Sequence, residues 1–238
     1  MDFKFDFLQP DSNLYRFAEW VQRLVFGNLL WVIFTLLGLV LFGFMPSTIA
    51  LFNLTNEWIK GNKNIPIFKT FWQGYKSNFL RGNLLGLFLV LMGFILYFNF
   101  NYYQQQSGLS YFLAFIVILL FVLFFLILFY IFPIYVNYKN LSLYHMVKNA
   151  LLISLLSPLQ TLMMFGAIIL LYFGFMLLPA LLPFLSVSSL VFIIMWSASQ
   201  SFAKVEQKIR DHQQEEGEED IEKKNPQPET TNDKENNS

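Results

Sequence analysis

The sequence predicts an all-α polytopic membrane protein, with about five transmembrane helices, interfacial amphipathic helices and a disordered acidic C-terminal tail. Three observations predict it. Charged residues make up 13% of the 238 residues while apolar residues reach 55% and aromatics 19%; a soluble domain carries about 25% charged residues. The charges are also unevenly placed, because Leu24 to Asn56, Gly82 to Tyr138 and Asn149 to Ala203 contain none. A stretch of about 20 apolar residues crosses the hydrocarbon, and runs longer than that do not fit the core of a soluble protein. Finally, the composition turns abruptly polar and acidic from Lys204 onward.

Residues 1–23 form the N-terminal amphipathic segment. Its start, MDFKFDFLQPDSN, alternates acidic and aromatic residues. It lacks the basic start, apolar middle and small-residue cleavage site of a signal peptide, so the first span is expected to insert and stay in place. In Leu14 to Arg23, Leu14, Phe17, Ala18 and Val21 share one helical face with Leu24, while Arg16, Glu19 and Arg23 share another. Glu19 and Arg23 are spaced for an i,i+4 pair, and Asp11 or Ser12 is placed to cap the helix.

The transmembrane domain is read as 24–203. As one straight helix, Leu24 to Asn56 would be about 50 Å long against a hydrocarbon core of roughly 30 Å. It must break, and Pro46 is the natural place, since proline cannot donate to the preceding turn. The expectation is a membrane helix from about Leu24 to Met45 and an interfacial helix from Pro46 to Lys60, with Trp20 and Trp58 in the aromatic belts. The segment 57–81 is a basic loop carrying Lys60, Lys63, Lys69, Lys76 and Arg81. Within it Phe68, Phe71, Trp72, Tyr75 and Phe79 recur at helical spacing opposite Lys69, Gln73, Lys76 and Ser77. That pattern predicts an aromatic-faced, basic-backed helix in the headgroup plane, with Lys69, Lys76 and Arg81 as candidate contacts for anionic lipid or a partner.

The next charge-free run is interrupted by NFNYYQQQSG at 99–108, which places spans near Asn83 to Tyr103 and Leu109 to Val136. A short link with Lys139, His145 and Lys148 leads to two more spans, about Leu151 to Leu178 and Leu185 to Ala203, with Pro179 and Pro183 bracketing the turn. Residues 204–238 are a cytoplasmic tail, too poor in apolar residues to offset ordering entropy and so expected to be disordered after about Gln213. With five spans, thirteen of the sixteen Lys and Arg fall on the side of the basic loop and the tail. The positive-inside rule makes that side cytoplasmic, with the C-terminus inside and the N-terminus outside.

The chemistry on offer is narrow. No Asp or Glu occurs between Glu57 and Glu206, cysteine is absent, and the two histidines, His145 and His212, lie in different segments. Ion-coupled carriers place ionisable groups within the membrane, and metal sites need His, Cys or carboxylate clusters. The expectations are therefore no catalytic residues, no cofactor, no metal and no nucleic-acid partner, leaving the lipid bilayer and another membrane protein as partners. Uncharged polar residues at membrane depth, among them Asn28, Thr35, Asn83, Ser154, Ser157, Thr161 and Ser188, read better as glue between helices than as a solute path, because they scatter around the helices.

The segments LYRFAEW at 14–20, NLLWVIFTLLGLVLFGFMPSTIALF at 28–52 and PIFKTFWQGYKSNF at 66–79 resemble the YesL family of bacterial multi-pass membrane proteins, and SPLQTL at 157–162 is similar in character. The resemblance is specific over roughly 15–80. It implies a non-enzymatic accessory or regulatory protein of the plasma membrane, associated with carbohydrate ABC uptake or utilisation in a Gram-positive bacterium, with ABC-transporter subunits as partners. It carries no established functional residues; the matching positions Asn28, Trp31, Pro46, Phe71 and Trp72 are candidates. The alternative is a solute (sugar) transporter or permease subunit. Against it, the link NLSLYHMVKNALLIS at 140–154 lacks the acidic residue and glycine of the sugar-permease coupling loop.

Overall fold

In a bilayer the backbone must satisfy its own polar groups, and this chain does so as helix. The computed structural model describes residues 13–104, 109–138 and 141–224. These form α1 (Asn13–Leu37), α2 (Leu41–Ile59), α3 (Ile67–Ser77), α4 (Phe79–Gln104), α5 (Leu109–Asn137), α6 (Leu143–Leu156), α7 (Pro158–Leu177) and α8 (Leu182–Lys224), with a single 3-10 turn at Pro179–Leu181. Five stretches are long and apolar enough to cross a membrane: Leu14–Leu37, Phe79–Tyr103, Phe112–Asn137, Pro158–Leu177 and Pro179–Asp211.

The helices are arranged as three hairpins. In the first, α2 runs back along α1: Trp20 meets Trp58 edge-on at 6.4 Å, and the Trp31 indole donates to Thr48 Oγ1 at 3.1 Å. At the turn, a Cβ on Gly38 would lie 2.3 Å from Gly43 Cα, so the two strands of the hairpin touch through bare backbone. In the second, α4 and α5 pair through Phe100 on Phe121 and Gly93 against Phe124. In the third, α7 and α8 close around the Pro179–Leu181 turn, and Thr161 and Ser201 both bond the Tyr130 hydroxyl of α5, at 2.9 and 3.0 Å.

The first hairpin corrects the expected break. Pro46 lies inside α2, and the chain turns instead at Gly38 to Val40, where Leu39 and Val40 take φ of 55° and 64°. Proline removes the N–H that would bond Phe42 O; the Asn83 carboxamide of α4 donates to that oxygen at 3.0 Å and makes good the loss. Nor does α2 lie apart from the other helices. It packs against α1, α3, α4, α5 and α8, and Ser47 to Phe52, Leu54 to Asn56 and Trp58 are buried. A Cβ on Gly86 would meet Met45 Cγ at 2.3 Å, which shows how closely α4 is seated on it.

A second correction follows from the first. Because α2 returns along α1, the start of α1 lies at the same end of the bundle as the basic segment; the Lys63 ammonium sits 5.7 Å over the Trp20 ring. The expectation that these two regions face opposite sides does not hold. Asn56 of α2 bonds Asn137 of α5 at 3.1 Å, and Tyr138 meets Phe202 of α8 at 5.8 Å, so α5 ends and the apolar part of α8 ends there too. We call this the charged end.

Two boundaries also move. The fourth span starts at Pro158, which suits the first turn of a helix, and the residues before it form the separate α6. Past Gln213, α8 continues to Lys224: extending an existing helix needs no new nucleus. The expected cap at Asp11 or Ser12, the loop residues 105–108 and the tail 225–238 lie outside the described residues.

Candidate functional site

The charged end is organised by α3. Its sequence puts aromatic rings on one face, and Phe34 of α1 inserts among them, with centroids 5.3 Å from Phe71, 5.5 Å from Trp72 and 5.1 Å from Tyr75. Phe71 is fully buried, while Lys69, Gln73 and Lys76 are exposed on the opposite side. Gly74 lets the helix close on α2: a Cβ there would lie 3.2 Å from Ala50 Cα. The helix is thus pinned by its aromatics with its cations left free to face solvent or headgroups.

Between α3 and the ends of α2, α4, α5 and α6 lies an open cleft of about 1390 Å³. Asn53 and Glu57 of α2 form one wall and Trp72, Gln73 and Lys76 of α3 another. Arg81 rises from the start of α4, and Tyr135, Tyr138 and Ser142 close the far side. The wall is held by amides. Tyr135 donates to Asn78 Oδ1 at 2.9 Å, and Asn78 Nδ2 donates to Gly74 O at 2.7 Å, which fixes α5 to the end of α3. Asn137 donates to Pro133 O while accepting from Asn56. Burial, and secondarily the Glu206 carboxylate, pushes the Tyr138 phenol up from its ordinary value.

The cleft combines two cations, one carboxylate, several amides and aromatic edges. That set suits hydrogen-bonded capture of a polar or acidic segment. Ser142 on the far wall is hydrogen-bonded to His145 Nδ1 at 2.7 Å, as a local contact in the first turn of α6, and among the described residues no three His, Asp or Glu converge.

The structure brings Trp72, Lys76 and Arg81 into the cleft and leaves Lys69 outside its lining. The other family-matching positions are structural. Asn28 is buried and donates to Pro183 O at 2.8 Å while its Oδ1 accepts from Val187 and Ser188 N–H, both at 3.1 Å, tying α1 to the first turns of α8. Trp31 ties α1 to α2, and Pro46 sits in the α2–α4 contact. Phe71 anchors α3. Sequence reasoning missed Asn53, Asn78, Tyr135 and Asn137 as a group. Their common feature, an amide or phenol at the border of an apolar run, is a usable but unspecific signal.

Residues 24–100 match the family described as a protein of unknown function, DUF624. Over 197 residues the chain is 40% identical to the uncharacterized protein YteU of Bacillus subtilis (strain 168), covering 82% of this chain and 88% of that one. It is 36% identical over 195 residues to the uncharacterized protein YesV of the same organism, covering 81% and 93%. With the uncharacterized protein YesL it shares 34% over 116 residues, covering 45% and 56%. No solved structure matches.

Proposed function

The chain belongs to the DUF624 family, that of YteU, YesV and YesL, and from that premise we propose that it is a non-enzymatic accessory protein of the plasma membrane that docks a partner at its charged end. The observation that supports this reading is the cleft. It is open, amide-lined and cationic, and it is built on a helix whose aromatic face is spent on anchoring. Such a surface recognises a segment through hydrogen bonds and charge rather than turning over a substrate. The partner favoured by the family resemblance is a subunit of a carbohydrate ABC-uptake system, meeting the cleft with an acidic segment.

The charged end faces the cytoplasm in this reading. With α1 and α2 paired as a hairpin, the start of α1 with Arg16 joins the basic segment 57–81 and the exit of α8 on one side in this reading. The positive-inside rule then places both the start of α1 and the exit of α8 in the cytoplasm. A C-terminal fluorescent reporter is expected to be active and an exported phosphatase fused there inactive.

Affinity purification from mild detergent tests the docking. Carbohydrate ABC subunits are expected with the wild type and lost with K76E/R81E, which inverts the cleft's charge on exposed positions. Repeated recovery of no such subunit with the wild type would sink the reading.

A further inference from the structure

Arg23 is the last charged residue before the apolar run 24–56, yet only 7% of it is exposed. One edge of the guanidinium is taken by Glu19, a turn earlier on α1. The other nitrogen, Nη1, is buried and has no hydrogen-bond partner in the protein. A buried donor on a cation, left without an acceptor, is costly. Arg23 is not sealed in, however. With Gln22, Glu19, Phe26 and Ile67 it lines a cavity of about 330 Å³ between α1 and the start of α3.

The surroundings specify what fits there. Arg23 and Lys63 both lie 5.7 Å from the Trp20 ring, and Glu19 is the carboxylate paired with Arg23. Below the cavity, Phe26, Leu29, Ile33 and Leu37 continue one exposed apolar stripe down α1 at helical spacing. The site therefore has a cationic, hydrogen-bonding mouth at the edge of the apolar run and a greasy track leading away from it. Basic pockets of this kind between membrane helices bind anionic headgroups.

We propose that this pocket binds an anionic phospholipid, with the Arg23 guanidinium as the cation that receives the phosphate, Gln22 at the rim, and an acyl chain along Phe26, Leu29 and Ile33. The stripe is what favours a lipid over a soluble anion. A free phosphate would use the mouth alone.

The test uses the full chain purified in mild detergent, with native mass spectrometry of retained lipid and thermal unfolding read by tryptophan fluorescence. Phosphatidylglycerol is expected to be retained roughly tenfold over phosphatidylcholine, the weight of a charge-assisted contact, and to raise the melting midpoint. Inorganic phosphate at millimolar concentration is expected to do nothing. R23Q should lose the preference. E19Q, which frees the second edge of the guanidinium, should strengthen it, and that variant decides the matter if R23Q is not recovered folded. Equal retention of the two lipids by the wild type, or no gain in E19Q, would overturn the site. A shift reproduced by inorganic phosphate would overturn the lipid as its occupant.

Discussion

Asn28 sits in a run of apolar side chains, and its single carboxamide makes three bonds to α8 more than 150 residues away. Replacing it by leucine keeps the volume and removes every one of them. Pro183 O and the Val187 and Ser188 N–H groups lose their shared partner, so N28L is expected to lose about 1–3 kcal/mol, the cost of removing a buried hydrogen-bonding group. A lowered melting midpoint in detergent, with insertion unchanged, is the measurement. Tyr130 makes a milder comparison. Y130F removes one hydroxyl and leaves Thr161 and Ser201 bonded to Ser157 O and Ser197 O. The expected loss is therefore about 1 kcal/mol, at the low end for a buried hydrogen bond.

Hairpins and single helices respond to different residues. A Cβ on Gly43 would lie 2.4 Å from Thr35 O and 2.7 Å from Phe34 O, both backbone atoms that cannot yield while the hairpin is closed. G43A is expected to abolish monodisperse protein in size-exclusion chromatography. Gly166 of α7 has nothing within 4 Å of its would-be Cβ, so G166A should gain about 0.5–1 kcal/mol from helix propensity alone. Elements with punctuated patterns could be read from the sequence. The α3 face was visible because Phe71, Trp72 and Tyr75 alternate with Lys69, Gln73 and Lys76. The turn at Gly38 to Val40 was not, because no polar residue marks it and Pro46 is the nearest obvious breaker. What keeps Pro46 inside a helix is Asn83, a partner that only tertiary packing supplies. The cleft divides in the same way. Trp72, Lys76 and Arg81 stood out within one basic segment, whereas Asn53 and Tyr135 arrive from other helices, and spacing along the chain says nothing about their meeting.

At the scale of the molecule, the three charge-free runs and the three hairpins coincide. Leu24 to Asn56 is α1 with α2, Gly82 to Tyr138 is α4 with α5, and Asn149 to Ala203 contains α7 and the apolar part of α8. The Lys and Arg of the described residues lie between these runs or beyond them. The first run is much the shortest. From Leu24 to the turn, α1 rises only about 20 Å against a hydrocarbon core of roughly 30 Å. At its tip Gly38, Leu39, Val40 and Leu41 all donate their N–H groups within the turn, and Leu37, Leu39 and Leu41 present bare apolar surface. Irregular backbone is tolerated at membrane depth only when its polar groups are satisfied, and these donors are. The chain has no cysteine, so single-cysteine variants report position cleanly. R16C, K63C and Q207C are expected to react with a membrane-impermeant maleimide only when the cytoplasmic face is opened, and N101C only from outside. L41C should resist labelling from both faces until detergent is added. Labelling of L41C from outside would mean that α1 and α2 both cross the bilayer completely; labelling of R16C from outside would mean that the hairpin does not form in the membrane.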